Sequence, residues 1–573
     1  MKISFSQRCL GLLLFSIIML GNLNASQIYV RLSDPVYPYL DRLATQGVIR
    51  GFLNDTKPLQ RDEIAKYLVK LESQRNQLSA TDRELLDEFI ADYRFELSDK
   101  KYFQLQENRE IYFLFHSWTT LAEGAKHFYQ YHKNQEELHL FVHETDKELV
   151  WVDWDEMARF ETKNDLTRFI WQDGFRISSQ IGQHFSFYVD GYRFLQQSRN
   201  GFNELAKEFK GGYTATHEEK GVNYHSFDYS HAYMQYHGLA GTFQIGKQPL
   251  YWGNSPNSMI LSNNTESFAY LSWQREFTHS KFSFFHGSIL PDSPEYPVFT
   301  VYRQSAPKYY EQKYLVGQRF ELAPHQRLHL ALTEMVVYGR RNPELAYLIP
   351  VIFLWPTEHS LLDRDNILMS GEFEYFPFQR FKIYGTFLLD ELVFSKLGTD
   401  WWGNKHGLQF GMQFAPQMEK FPTDFTVEFT AVRPWTYTHK YSIDTYTNNG
   451  VGLGFYAGPN SQLWYGRNRW WFGRRNRLVI SYRQLKHGVE PLSLDQTGYY
   501  PVGSDPNQNY QIRNPALNDQ TPALLGKIIT YQDFSIQWDY QWSDLLSFEL
   551  GYTLSAVDNS VDHFTSLQIR FDY

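Results

Sequence analysis

The sequence predicts an all-β fold, a transmembrane antiparallel β-barrel of about 16–18 strands with a small N-terminal α-helical domain. Three observations lead to this prediction. The chain begins with a short apolar segment typical of exported proteins, and 17% of its 573 residues are aromatic. Membrane barrels need such rings at both interfaces. Strands with alternating apolar and polar residues continue to the C-terminus, where Tyr573 resembles the terminal aromatic that the barrel-assembly machinery recognises.

Residues 1–26 predict a cleaved signal peptide. Lys2 and Arg8 precede an apolar run over 10–20, and small residues follow it. The run is too short to cross a bilayer as a helix. The single cysteine, Cys9, lies in this segment. The mature chain is therefore expected to have no disulfide and no thiolate metal site.

Residues 27–100 predict a helical periplasmic domain or plug. Apolar residues recur at helical spacing in three stretches, and Ser79 is a suitable N-cap for the third. The glycine-flanked turn at 47–51, taken together with Pro58, weakly resembles an S-layer-homology unit, which would bind cell-wall polymers. A three-helix domain without that activity is the alternative.

Residues 101–573 predict the outer-membrane barrel, because the apolar period changes from 3.6 to 2 near residue 102. Apolar and polar residues alternate over 408–414 and 567–573, which would place one set toward lipid and the other toward the lumen. After residue 26 no stretch approaches the ~18 apolar residues of a membrane helix.

Turns fix the direction of the predicted strands. Counting back from the C-terminus, 558–562 is an extracellular turn and 543–544 a periplasmic one. The aperiodic segment 487–528 then lies outside the cell. Hairpins are predicted for 174–182 with 184–194, 229–237 with 241–248, and 318–323 with 327–337.

Composition limits the possible functions. The formal net charge of −9 and the pI near 6.1 indicate no basic surface for nucleic acid. Because the chain has no zinc-protease, nucleophile-elbow or P-loop motif, we predict no catalytic residue, no cofactor and no metal.

Two interpretations fit the charged residues of the predicted lumen, which include the acids Asp390 and Glu391 and the arginines of 467–477. They form salt bridges across the barrel, or they attract anions and lipopolysaccharide phosphate.

A set of aromatic and amide side chains predicts polysaccharide recognition, because rings stack on sugar faces while amides bond to hydroxyls. An interfacial girdle or a polar loop would use the same residues, and the Tyr-Thr-His motif would also suit a structural role at the barrel rim. The glycan-binding candidates are Trp435, Tyr437, His439, Tyr499, Tyr500, Asn509 and Tyr510.

Three stretches of the predicted barrel contain distinctive motifs. They are Lys-Gln-Pro-Leu-Tyr-Trp-Gly at 247–253 with Leu-Ser-Asn-Asn at 261–264; Glu-Met-Val-Val-Tyr-Gly-Arg-Arg at 334–341 with Leu-Ala-Tyr-Leu-Ile-Pro at 345–350; and Pro-Trp-Thr-Tyr-Thr-His at 434–439 with Gly-Leu-Gly-Phe at 452–455 and Gly-Pro-Asn-Ser at 458–461. In this order they resemble the capsule-assembly Wzi family over 175–573. Gly253, within the first motif, would permit a bulge or a tight bend.

The resemblance implies an outer-membrane barrel, closed by helices at its periplasmic end, that holds capsular polysaccharide at the cell surface without catalysis. Residues 28–97 do not obviously match the family's enteric members. The predicted function is an outer-membrane barrel that binds or organises capsular or other surface polysaccharide, surrounded by lipid and lipopolysaccharide. The alternative is an outer-membrane channel for anionic or sugar-like solutes, and a membrane-embedded hydrolase is a third hypothesis.

Overall fold

The computed structural model describes most of the chain. The predicted signal peptide, Tyr499, Tyr500 and Tyr573 lie outside the described residues. The described residues are 28–97, 139–145, 148–202, 204–211, 214–291, 311–391, 393–396, 398–490, 501–513, 515, 519–543, 545–558 and 560–572.

A closed antiparallel barrel of 18 strands forms most of this described part, at the upper limit of the predicted count. The last strand pairs with the first, so that Asp572 lies opposite Asp155 and no strand edge remains in the ring. In chain order the strands are β1 Glu148–Lys163, β2 Leu166–Ile181, β3 Phe185–Arg199, β4 Val222–Gly238, β5 Gly241–Lys247, β6 Ala269–Glu276, β7 Ser280–Ile289, β8 Lys313–His325, β9 Leu328–Gly339, β10 Asn366–Phe378, β11 Phe381–Glu391, β12 Lys405–Phe414, β13 Thr423–Val432, β14 Ser461–Trp471, β15 Asn476–Val489, β16 Lys527–Gln541, β17 Leu546–Val557 and β18 Ser560–Asp572.

The two ends of the barrel differ in their connections. Short turns join β2 to β3, β4 to β5 and β8 to β9, which confirms the three predicted hairpins. These turns share one end, called the helix end below, with both termini of the ring. The long connections 340–365 and 433–460, and the described residues of 490–526, lie at the opposite end, called the loop end. The turn after β17 is also there, but β18 begins at Ser560, so this turn is shorter than the predicted 558–562.

The strands bury polar residues toward the lumen and expose apolar residues outward. In β12, Leu408 and Phe410 are exposed on the outer wall, whereas Gln409 and Gln413 are buried inside. The same alternation in β13 exposes Phe425. This is the predicted pattern of a barrel in lipid, in which the polar face is turned away from the hydrocarbon.

The helices predicted near the N-terminus form a small domain with its own core. Ser79 Oγ accepts a hydrogen bond from Asp82 N–H as the predicted N-cap. Arg42 and Asp82 form a buried ion pair between two helices. None of the described helices is long and apolar enough to cross a membrane. The helices are α1 Val36–Gln46, α2 Arg61–Ser73, α3 Ala80–Asp92 and α4 Arg94–Leu97, with α5 Leu354–Ser360 in the loop after β9.

This helical domain lies inside the helix end of the barrel. Lys382 of β11 donates to Asp41 at 2.8 Å, and Thr45 donates to Gln413 of β12 at 2.7 Å. Lys281 of β7 donates to Glu63 at 3.0 Å. Since these strand residues face the lumen, their bonds attach the domain to two separate parts of the wall.

Candidate functional site

Loop 248–268, between β5 and β6, starts at the loop end and folds into the lumen. Its Tyr251–Trp252 pairs as a short strand with Thr56–Lys57 of the helical domain. Gly253 N–H donates to Asp55 O at 2.8 Å. Gly253 has φ +133, and a β-carbon there would lie 2.5 Å from Ser258 Oγ. The tight bend that the sequence suggested at Gly253 is therefore present and needs glycine.

Loop 433–460 also folds inward and packs on loop 248–268. Tyr437 Oη donates to Met259 O at 2.7 Å, and Tyr446 Oη donates to Ile260 O at 2.8 Å. Ser262 N–H donates to Leu453 O at 2.8 Å. The two loops share one buried apolar cluster, so they act as a single layer across the lumen.

Segment 501–513 covers this layer at the loop end. Trp435 N–H donates to Gly503 O at 2.9 Å, and the Trp435 ring lies against Gly503, where a β-carbon would come within 2.5 Å of it. Asn509 Nδ2 donates to Lys440 O, and residues 439 and 509 form an isolated parallel bridge. Residues far apart in sequence are thereby brought to one surface.

The predicted glycan candidates fall into two groups in this arrangement. Trp435 is fully buried and Tyr437 is 2% exposed. Neither has an open ring face for a sugar, so the structural interpretation fits both. Asn509 and Tyr510 are partly exposed at the outer surface of the layer, whereas His439 lies beside them but is only 8% exposed. The role of these three residues as glycan contacts stays a prediction. Tyr499 and Tyr500 lie outside the described residues.

A cluster of rings and cations surrounds Tyr510; we call it the loop-end cluster. Its rings are partly exposed except that of His439, and Lys405 is buried. The rings of Tyr510 and Trp402 are 5.3 Å apart between centroids. The Arg513 guanidinium lies 4.1 Å from the Trp402 ring centre. Beneath them, Lys405 Nζ lies 3.8 Å from the Tyr510 centre and 2.6 Å from a Glu391 carboxylate oxygen. The cluster consists of Trp402, Lys405, His439, Tyr441, Tyr510 and Arg513.

His439 enters this cluster as a neutral ring. Burial, with Lys405 and Lys440 nearby, lowers the pKa of His439 to about 3. Its Nδ1 accepts a hydrogen bond from Tyr441 N–H at 3.4 Å, and its ring contacts Tyr441 edge-on at 5.6 Å. The buried, neutral imidazole packs against the phenols of Tyr441 and Tyr510, and the exposed parts of those two rings suit stacking on sugar faces.

Sequence reasoning missed Trp402, Lys405 and Arg513. Trp401 and Trp402 directly precede β12, and paired tryptophans at a strand end are the signal that would have pointed to this position. Nothing in the local sequence placed Arg513 over Trp402, since more than a hundred residues separate them.

Two of the five arginines in 467–477 form cross-strand ion pairs with acids in the described structure. Arg469 pairs with Asp424 at 2.9 Å and Arg477 with Asp539 at 2.7 Å. Arg467 instead lines a lumenal cavity of about 440 Å³ between the helical domain and loop 248–268. The salt-bridge interpretation thus fits Arg469 and Arg477.

Among the described residues, one group has the geometry to hold a metal ion. Ligand atoms of Glu358, His359 and Asp363 lie within 4.8 Å of one another, and two of the three residues are exposed. Exposed acids commonly have this spacing without a metal. That the protein uses no metal, cofactor or catalytic residue stays a prediction.

Comparison with known proteins places the chain in a family. The model of the capsule assembly protein Wzi family matches residues 167–564. The chain belongs to the Wzi family. It also resembles the solved structure of Wzi from Escherichia coli, described as an outer-membrane, carbohydrate-binding β-barrel involved in group 1 capsule assembly. The TM-score is 0.55 at 14% identity, covering 96% of this chain and 99% of that one.

Two further similar structures come from Pseudomonas aeruginosa. OprD has a TM-score of 0.40 and 11% identity, and the alignment covers 74% of this chain and 95% of that one. OpdK, solved with vanillate, has a TM-score of 0.42 and 9% identity, and the alignment covers 75% of this chain and 98% of that one. No curated protein matches the sequence. As a Wzi-family barrel, the chain is an outer-membrane protein. Two of the three motifs that carried the resemblance form the inward-folded loops, and the third spans β9 and the start of the loop after it.

Proposed function

We propose that this protein holds capsular or another surface polysaccharide at the cell surface, through the loop-end cluster. One observation carries the proposal: described residues of three separate connections, 398–404, 433–460 and 501–513, are in contact so that partly exposed rings lie beside cations. Membership of the Wzi family supports it, and so does the carbohydrate binding stated for the Escherichia coli protein. Stacking rings combined with polar donors is the usual chemistry of sugar recognition.

The proposal includes an orientation and a maturation route. The loop end faces outward and the helix end faces the periplasm, where residues 27–100 form the plug of the barrel formed by 101–573. Residues 1–26 act as the cleaved signal peptide, and the barrel-assembly machinery inserts the mature chain among lipid and lipopolysaccharide. The even strand number supports this orientation, since it places both ends of the ring on one side.

Binding of purified surface polysaccharide tests the proposal. Trp402→Ala removes the ring that lies between Tyr510 and Arg513, so we expect affinity for the polysaccharide to fall roughly five- to tenfold. Trp542→Ala is the matched control, because Trp542 is an exposed tryptophan at the helix end. Equal affinity in both variants and the wild type would rule out the loop-end cluster as the binding surface.

The channel for anionic or sugar-like solutes remains the competing proposal. In the described structure, the helical domain and the two inward loops occupy the lumen, and this favours a closed barrel. Planar-bilayer recording decides between them, because an open lumen of this size would give discrete conductance steps. We expect no such steps from the wild-type protein, and we expect no hydrolysis of polysaccharide during binding.

A further inference from the structure

A polar pair on the outer wall of the barrel needs an explanation. Gln318 of β8 lies opposite Glu334 of β9. Their neighbours Arg319 and Thr333 face the lumen, where Arg319 bonds to Thr333 and Glu372. Since side chains alternate along a strand, Gln318 and Glu334 point outward, to the side that faces lipid. An amide and a carboxylate are costly in contact with hydrocarbon unless other groups satisfy them.

The loop after β9 covers this pair. Gln318 Nε2 donates to Ile352 O at 2.8 Å, and Leu354 N–H donates to Glu334 Oε2 at 2.9 Å. Around these bonds the loop buries the outward-facing residues Val316 and Val336 completely. Residues 344–362, which contain α5, therefore lie against the outer wall over β7, β8 and β9 rather than above the barrel mouth; we call them the outer collar.

Ion pairs and hydrogen bonds hold the two ends of the outer collar in place. Arg341 pairs with Asp365 at 2.6 Å, and Tyr347 Oη donates to Asp365 at 2.8 Å. The backbone of the collar is largely bonded within itself, for example Tyr347 N–H to Glu344 O and Leu361 N–H to Thr357 O. Such internal bonding allows a segment to leave water without exposing unpaired amides.

The side of the outer collar that faces away from the barrel is strongly apolar. Leu345 is 76% exposed, Val351 67%, Phe353 73% and Leu362 83%. This surface continues onto the bare wall of β9, where Leu332 is 66% exposed. An apolar patch of this extent is rare on a surface in contact with water.

We propose that the outer collar is embedded in the outer leaflet of the membrane, with its exposed apolar side chains among lipid acyl chains at the headgroup boundary. Three observations carry this: the collar shields an outward polar pair, it is tethered to the wall, and its apolar face is continuous with the lipid-facing wall of β9. An amphipathic segment parallel to the membrane has this distribution of side chains. The collar would thereby extend the apolar belt of the barrel over β7 to β9.

Spin-label accessibility tests the location of the collar independently of any glycan. In the full-length protein with Cys9→Ser, single labels at Phe353→Cys and Val351→Cys are compared in phosphatidylcholine vesicles. Leu332→Cys provides a lipid-facing reference, and Ser395→Cys provides an exposed reference in another loop at the loop end. We expect the ratio of oxygen to nickel-chelate accessibility at Phe353→Cys and Val351→Cys to match Leu332→Cys and to exceed that of Ser395→Cys several-fold.

Two results would overturn the proposal. High nickel-chelate accessibility at both collar positions would place the outer collar in water. Low accessibility to both reagents would show that protein, such as a second copy of the chain, covers it. Heat-modifiable gel mobility confirms that each variant is folded, and Leu362→Cys replaces either collar variant that fails this check.

Discussion

Two aromatic-rich connections at the loop end lie on opposite sides of the barrel wall, one in the lumen and one outside. Loop 433–460 turns into the lumen, where Trp435 and Tyr437 are buried against other loops. The outer collar turns over the rim onto the outer wall and leaves Phe353 and Leu362 exposed. The presence of aromatic rings does not separate them, since both contain tryptophan and tyrosine. The hydrogen-bond partners of each connection decide where it lies: loop 433–460 bonds to loop 248–268, whereas the outer collar bonds to outward-facing polar groups.

The largest expected effect comes from the bend that holds the inward layer together. Gly253→Ala forces a side chain into a positive-φ bend, 2.5 Å from Ser258 Oγ. We expect a loss of roughly 2–4 kcal/mol in the free energy of unfolding. Displacement of loop 248–268 should also release loop 433–460, while the outer collar stays in place. Hydrogen exchange of each loop measures both effects.

Gly466→Ala is the matched control for the Gly253 variant. A β-carbon at Gly466 meets no atom within 4 Å, and its φ is not positive. Equal exchange rates in the two variants would contradict the dependence of the inward layer on Gly253.

A smaller, pH-dependent effect is expected at Asp444, in the inward loop. Burial, together with nearby Asp365, raises the pKa of Asp444 to about 7, and its Oδ1 is buried without a hydrogen-bond partner in the described structure. The folded state therefore keeps a proton that the unfolded state releases near pH 4. The stability contributed by this proton is complete below that pH and is lost as the pH rises toward 7.

Asp444→Asn imitates the protonated side chain, so it should remove this pH dependence. We expect the variant to be more stable than the wild type at pH 8 by roughly 1–3 kcal/mol, and equal to it near pH 4. Protection of loop 433–460 against hydrogen exchange at the two pH values measures the difference. A stability gain of the same size at both pH values would contradict the assigned cause.

The smallest expected effect is in the outer collar. Glu334→Gln keeps one oxygen that can accept from Leu354 N–H but removes the charge that strengthens this bond. We expect a loss of about 1 kcal/mol or less, confined to the collar. Exchange at Leu354 N–H should rise while exchange in loop 433–460 is unchanged. A faster exchange in both loops would show that the two regions are coupled.

Much of the fold could be predicted from the sequence, because strand periodicity is a local property. The alternation at 408–414 fixed which side chains face lipid, and the hairpin links fixed the antiparallel order. His439, Asn509 and Tyr510 were candidates from the sequence and lie together at the loop end, and their contact with a glycan stays a prediction. Trp402 and Arg513 were missed because only ring closure and loop folding bring them together.

The sequence by itself determined the fold class, the strand range and the region of the loop-end surface, since periodicity, turns and motifs lie in short stretches of chain. The tertiary structure decided which aromatic rings are exposed at the loop end and which are buried. Trp435 and Tyr437 share a motif with His439, yet they are buried because loops from opposite parts of the ring pack on them. It also decided that residues 344–362 lie on the outer wall, since the polar groups that hold them there belong to β8 and β9.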